Sequence, residues 1–432
     1  MPDPTGQHYD ALVVGSGPAG SVAALVLARG GARVALVDKA NFPRDKACGD
    51  LVGPRGVQTL TDLGVRLEGP RLGDMEVIGP SGRQVVLPAV EGLTYPGFAV
   101  VAQRARLDAL LHTSALDAGA VFVTGRADTA CYADSDELRG FEVRDGSRSA
   151  RITADVVIGA DGALSRVGSA AGLVEDHKVI WGFAVRGYLP TAIDLPCIHF
   201  WEPARWSGYP GYGWVFPGDQ GEANVGLGVA ARGDRRAAAR AVRDLPGFLS
   251  DAGLDPAKLG PTLGGWLKMG MIGTRPASGR ALLVGDAAGL VNSLQGEGIS
   301  QALDSGRMAA ESVLKVGPSA AAALYSDELT GRYGPYSATT APVTTWMIEH
   351  PKAVAALGRL LTAPVVGSAL AGGWALYWND LVDGASPGSS RRVARIAEHA
   401  GKALTARSAA RRDIESSLAP VSGERSAGGG SC

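Results

Sequence analysis

Asp10-Ala-Leu-Val-Val-Gly-Ser-Gly-Pro-Ala-Gly20 and, one helix later, Val34-Ala-Leu-Val-Asp38 decide the fold. The order is a short apolar strand, a glycine turn, a helix and a second strand ending in an acid. Gly15 permits the tight turn, Gly17 lets backbone N–H groups approach a pyrophosphate, and Gly20 lets the helix pack on the sheet. The helix N-terminus then faces the anion, and Asp38 is placed to accept from ribose hydroxyls. The chain carries 61 glycines, so the glycine spacing alone is weak. Strand, helix and acid in sequence make it a dinucleotide-binding entrance.

The 432 residues suffice for a sizeable core divided into two or three units. With 42 basic and 43 acidic residues the formal charge is -1, which gives no reason to expect nucleic acid as a partner. Cys48, Cys131, Cys197 and Cys432 form no CxxC pair, so neither a disulfide framework nor a metal site is expected. The polar start before the first strand lacks the pattern of a signal peptide, and a reduced, cytoplasmic setting is expected.

Val121-Phe-Val-Thr124, Asp155-Val-Val-Ile-Gly159 and Arg280-Ala-Leu-Leu-Val-Gly285 read as further strands of the same nucleotide-binding sheet. A helix is expected from about Gly298 through Val313. Segments around Met75 to Leu87 and Trp181 to Lys268 are rich in aromatic and β-branched residues, and predict a second, antiparallel sheet inserted into the first domain. Beyond Gly317 the sequence turns helical and alanine-rich. Ser422 to Cys432 reads as a disordered Gly/Ser tail.

Three motifs in order, Gly15-Ser-Gly-Pro-Ala-Gly20, Gly159-Ala-Asp-Gly162 and Leu283-Val-Gly-Asp-Ala-Ala-Gly289, resemble the FAD fingerprint of flavoproteins of the p-hydroxybenzoate hydroxylase type. Phe42-Pro-Arg-Asp-Lys-Ala-Cys-Gly-Asp50, Gly211-Tyr-Gly-Trp-Val-Phe-Pro217 and Gly296-Glu-Gly-Ile299 resemble the geranylgeranyl reductases, the menaquinone reductases among them most of all. One departure is Asn292-Ser-Leu294, where the pattern usually carries a proline after the asparagine, so the loop over the flavin is expected to differ in shape.

The resemblance implies an α/β fold: a Rossmann-type FAD-binding domain (1–74, 97–175 and 275–316), an inserted antiparallel substrate domain (75–96 and 176–274), a C-terminal helical lid (317–421) and the tail (422–432). It implies FAD as cofactor, held by Gly15, Gly17, Pro18, Ala19, Gly20, Asp38, Lys39, Arg44, Cys48, Gly49, Arg104, Asp161, Gly162, Gly285, Asp286, Gly296, Gly298 and Ile299. Asp286 is implied near the ribityl and pyrophosphate, and Arg104, before a Leu-Asp pair, as a cofactor clamp. Taken alone, Asp286 could be a helix cap and Arg104 a surface cation, the lesser reading of each.

The implied reaction is saturation of an isoprenoid double bond on a polyprenyl lipid, a menaquinone side chain or a geranylgeranyl group. No neighbouring carbonyl polarises such a bond, so it needs a hydride from reduced flavin and a proton from an acid in a dry, apolar site. Tyr212, Trp214 and Phe216 alternate, so on a strand they share one face and can line a prenyl tunnel or fill a core. Phe200 and His199 are further candidates for substrate contact. Cys48 is a candidate proton source or redox sensor, Tyr212 a candidate catalytic group, and Glu297 an acid or a helix cap. No second glycine fingerprint follows, so electrons must come from an external donor: NADPH, ferredoxin or a separate reductase.

Leu360 to Trp378 is apolar but broken by Pro364 and by glycines 367, 372 and 373, and reads as a lid, not a bilayer span. The arginines that follow, 391 to 395 and 411 to 412, could meet anionic headgroups at the inner face of the plasma membrane. Two rival functions share parts of the pattern. A flavin monooxygenase would hydroxylate or epoxidise a terpenoid or aromatic metabolite, and halogenases carry a similar aromatic motif. A flavin-binding electron carrier would leave the aromatic strand without a purpose.

Overall fold

The computed structural model describes residues 8–134, 136–200, 210–234, 236–384 and 388–417, with side chains described as far as 406. The segment expected to form a Gly/Ser tail lies outside the described residues. The first sheet has eight strands and is built on the parallel row Val121–Thr124, Val34–Asp38, His8–Val14, Arg148–Gly159 and Ala281–Leu283. The strand His8–Val14 sits near its middle. Leu12, Val13, Leu36, Val157 and Ile158 are fully buried, which is why these strands read as unbroken apolar runs. Ala277–Ser278 closes one edge antiparallel, and the hairpin Arg126–Tyr132/Leu138–Asp145 extends from the long strand Arg148–Gly159.

The second sheet has seven strands in the order Leu263–Met269, Ile180–Leu189, Ala223–Ala231, Gly211–Pro217, Cys197–Phe200, Met75–Ile78 and Gln84–Leu87. All its pairings are antiparallel except that of Cys197–Phe200 with Met75–Ile78, which is parallel. One face packs on the helix Arg236–Asp251 through Leu245, Phe248 and Leu249, making a separate small core with Val185, Val225 and Leu227. The other face looks toward the first sheet. Beyond residue 317 come helices Ala321–Glu349, Pro351–Leu361, Gly367–Trp378 and Gly388–Ser417. The apolar stretch 360–378 is therefore two helices with a break at 362–366, and among the described residues no helix is long and apolar enough to cross a membrane. The fold is the mixed α/β arrangement expected: a parallel nucleotide-binding sheet, a second largely antiparallel sheet and C-terminal helices.

The helix Pro18–Arg29 is locked between the first sheet and the helix Ile299–Val316. A Cβ at Gly306 would lie 2.2 Å from the Ala19 carbonyl oxygen, so the two helix backbones meet with no side chain between them. Gly306→Ala is expected to force them apart at a cost of roughly 2 kcal/mol, since overpacking a filled contact is destabilising. Thermal unfolding of purified protein checks this, and an unchanged midpoint would contradict so close a contact.

Candidate functional site

A cavity of about 1050 Å³ runs from the Gly15 turn to the C-terminal helices, between the two sheets. Its first half is polar. The glycine turn is built by backbone proximity: Gly15 has φ +101, and a Cβ there would sit 2.3 Å from the Ala160 oxygen. The helix that follows starts at Gly17 with Pro18 in its first turn, and no side chain caps it. Its first N–H groups are therefore open to the cavity, the arrangement that binds an anion. Asp38 ends the second strand; its carboxylate accepts from Ser16 N–H at 2.8 Å and Ala40 N–H at 2.9 Å, which fixes the turn.

The sequence candidates Gly15, Gly17, Pro18, Ala19, Asp38, Lys39, Arg44, Cys48, Gly49, Arg104, Asp161, Gly162, Gly285, Asp286, Gly296, Gly298 and Ile299 all line this cavity. Gly20 does not: a Cβ there would meet the Gly15 oxygen at 1.8 Å, so it serves turn-to-helix packing. Asp161 reaches the cavity, but its carboxylate is committed to the helix Arg166–Ala170. It accepts from Ser165 Oγ at 2.5 Å, Arg166 N–H at 2.6 Å and Val167 N–H at 3.2 Å. Burial pushes its pKa up against those donors. Asp286 pairs with Lys46 Nζ at 3.5 Å.

Arg104 is buried, not a surface cation. It forms a two-pronged pair with Asp108, 2.8 Å on each prong, and Arg44 completes the cluster at 2.9 Å from Asp108. Arg104 and Asp50 are the charged groups that act on the Cys48 thiol, one lowering and one raising its pKa. Burial nevertheless raises the Cys48 pKa, with Asp50's charge adding to the rise, so the group is a thiol at neutral pH. Asp50 itself, which the sequence reading quoted but gave no role, is 1 % exposed and has φ 60. Its carboxylate accepts from Tyr188 O–H at 2.5 Å and Asn224 Nδ2 at 2.8 Å, with the Arg104 N–H at 3.3 Å. Burial lifts its pKa to about 6 despite those donors and the Arg186 and Arg104 charges.

The second half of the cavity is apolar. Tyr212, Trp214 and Phe216 line it on one face of the strand Gly211–Pro217, and Phe200 joins them from the neighbouring strand. Trp214 Nε1 donates to Asn224 Oδ1 at 2.9 Å, and Tyr212 O–H donates to the Gln295 carbonyl. Burial raises the Tyr212 pKa, so the phenol stays protonated. His199 is the exception among the substrate candidates. Adjacent residues on a strand point to opposite faces, and with Phe200 facing the cavity His199 turns to the other side. There its ring lies edge-on to Phe248 at 5.4 Å, and its Nε2 is 3.5 Å from Cys197 Sγ. Met75, Val77, Val354, Leu357, Leu361 and Trp374 continue the apolar wall. Leu361 and Trp374 belong to the apolar stretch read as a lid, whereas Met75, Val77, Val354 and Leu357 carry no signal of their own in the sequence.

Glu297 caps the helix Ile299–Val316: its Oε1 accepts from Ser300 N–H at 2.9 Å. Burial pushes its pKa up against the hydrogen bonds from Ser300 and Gln301. The Asn292 loop, which lacks the expected proline, closes on itself instead. Asn292 Oδ1 accepts from the Leu294 and Gln295 N–H groups at 2.9 and 3.1 Å, and Nδ2 donates to the Trp378 carbonyl at 3.0 Å.

Residues 8–316 match the family described as FAD binding domain. A menaquinone reductase of Mycobacterium tuberculosis is 36 % identical over 326 residues, covering 70 % of this chain and 76 % of that protein. This chain is an FAD-dependent oxidoreductase of the geranylgeranyl/menaquinone reductase family. A digeranylgeranylglycerophospholipid reductase of Methanopyrus kandleri is 31 % identical over 318 residues, covering 70 % of this chain and 76 % of that one. A geranylgeranyl bacteriochlorophyll reductase-like protein of Thermoplasma acidophilum superposes with a TM-score of 0.63 at 21 % identity, over 84 % of this chain and 99 % of that chain. A flavin-dependent brominase reaches the same TM-score at 17 % identity, so the likeness between these two is one of fold.

The residues present fit FAD: an uncapped helix start for the pyrophosphate, an acid at the end of the second strand, and a cavity passing from this polar end to an aromatic one. In Gly15→Ala the new methyl would collide with the Ala160 backbone at the mouth of that cradle. The variant is expected to purify without the yellow 450 nm flavin band, and a wild-type ratio of flavin to protein absorbance would contradict the assignment.

Proposed function

We propose that this oxidoreductase saturates isoprenoid double bonds of a polyprenyl lipid, a menaquinone side chain or a geranylgeranyl group. The observation that carries the reading is the aromatic and aliphatic half of the cavity, which continues from the polar cradle past Tyr212, Trp214 and Phe216 to Leu357, Leu361 and Trp374. An unbranched charge or hydrogen-bonding group would find few partners there, whereas a prenyl chain loses only its water. The names of the relatives point to the same lipid class.

Reduced FAD supplies a hydride, and the chain must supply a proton to the other alkene carbon. We assign that proton to Cys48. Its thiol is protonated at neutral pH, it borders the cavity, and the charge of Arg104 favours the thiolate that remains. Glu297 is bound to Ser300 as a cap and serves the loop, while Tyr212 anchors that loop through the Gln295 carbonyl. The electrons enter from an external donor, NADPH, ferredoxin or a separate reductase. A lipid substrate also calls for contact with a bilayer. Leu360, Val366 and especially Val365, 95 % exposed, project where the helices Pro351–Leu361 and Gly367–Trp378 meet, next to the cavity residues Leu357 and Leu361. We assign this apolar tip to peripheral docking at the inner face of the plasma membrane.

Anaerobic incubation of the dithionite-reduced protein with each lipid, read by mass spectrometry, should show products heavier by pairs of hydrogen atoms. Products heavier by oxygen, and only in air, would replace the reductase with a monooxygenase. Cys48→Ser should keep its FAD and lose roughly a hundredfold or more in turnover, the scale of a missing general acid. Full activity in that variant would remove Cys48 from the reaction. Val365→Asp should reduce co-sedimentation with anionic vesicles while leaving the turnover of detergent-solubilised lipid intact, and unchanged sedimentation would refute the docking tip.

A further inference from the structure

A cysteine beside an arginine ordinarily becomes a thiolate, and a thiolate has no proton to give. Cys48 lies in the field of Arg104 and still holds its proton. Burial is one reason, and the carboxylate two residues on is another. We propose that Asp50 is the positioning residue of Cys48: clamped by Tyr188, Asn224 and the Arg104 amide, it fixes the turn that presents the sulfur to the cavity and offsets the Arg104 charge beside it. The inference rests on the reading of Cys48 as proton donor.

The geometry is specific. Asp50 adopts a left-handed φ of 60, which asparagine and aspartate tolerate better than most residues. Asn224 holds the same turn from the opposite sheet, giving one amide hydrogen to the Cys48 carbonyl at 2.9 Å and the other to Asp50 Oδ2 at 2.8 Å. Tyr188 stands directly across from Asn224 in the sheet, so both donors reach Asp50 from one face. The charged and titratable groups around the pair are Arg104 with its partner Asp108, Arg44 on Asp108, Arg186 stacked 4.4 Å over the Tyr188 ring and paired with Asp45 at 2.5 Å, and Tyr212, which faces Cys48 from the aromatic strand. Of these, Asp50 is the anion that acts on the thiol directly, while Asp108 is spent on Arg104 and Arg44.

The test is the rate of Cys48 alkylation by iodoacetamide against pH in the FAD-loaded protein, followed on the Cys48 peptide by mass spectrometry. The midpoint of the profile reports the electrostatics of the thiol, and the plateau at high pH reports its accessibility. Asp50→Asn keeps the turn and removes the charge, so the midpoint should fall by about one pH unit. Tyr188→Phe leaves the charge and removes one clamp, so the plateau should rise while the midpoint stays. If Asp50→Asn does not retain FAD, the Tyr188→Phe plateau decides alone. A proton donor works only while protonated, so the alkaline fall in turnover should move down with the midpoint in Asp50→Asn. A midpoint that moves without the turnover profile supports the role of Asp50 and dismisses Cys48 as the donor. A midpoint fixed in Asp50→Asn, or a plateau unchanged in Tyr188→Phe, overturns the inference.

Discussion

The amide of Asn224 joins the two halves of the active site. It belongs to the antiparallel sheet, yet both of its Nδ2 hydrogens go to the 48–50 turn of the nucleotide-binding domain, while its Oδ1 takes the indole N–H of Trp214. Every donor and acceptor of the side chain but one lone-pair site is used, and all are buried, so losing any partner would leave an unsatisfied polar group worth about 1–3 kcal/mol. The constraint runs outward from there. Trp214 is oriented for the apolar wall, Asp50 is set against Tyr188, and the Cys48 backbone is held through its carbonyl. The aromatic strand and the cofactor cradle face each other at a fixed separation because this cluster ties them.

Such a cluster carries a cost. Asp50 titrates near 6 in the fold, above the 3.8 of an unburied aspartate, so the folded chain binds its proton more tightly than the unfolded chain does. The sign follows: this group favours folding most at low pH, and that contribution is lost as pH rises through about 4 to 6, leaving a deficit of about 3 kcal/mol at neutral pH. An apolar residue would pack there with less penalty. A carboxylate kept in place against that deficit is the signature of a functional site, where local rules are broken and compensated elsewhere.

Much of this was legible in the sequence. The glycine turn, the acid-terminated second strand and the alternation of Tyr212, Trp214 and Phe216 each depend on local spacing, and local spacing survives translation into structure. His199 and Phe200 show the limit and the remedy: neighbours on a strand cannot both face one cavity, and period-two reasoning applied to the pair would have chosen between them. Asp161 lines the cavity as its motif implies, and its carboxylate also accepts from the Ser165 hydroxyl and the Arg166 and Val167 amides. The roles of Asp50, Asn224 and Tyr188 had no local signature. They arise from cross-strand register, Tyr188 opposite Asn224, and from the approach of a loop 174 residues away in the chain.

In the proposed reaction electrons leave the flavin for a carbon–carbon double bond. Anaerobic stopped-flow mixing of the reduced, FAD-loaded protein with a quinone tests it most directly when two lipids are compared, one with an unsaturated side chain and one whose side chain is fully saturated, since the ring is then common to both. The oxidised-flavin absorbance at 450 nm should return with the unsaturated lipid and stay low with the saturated one. Equal return with both lipids, or return only when oxygen is admitted, would contradict it.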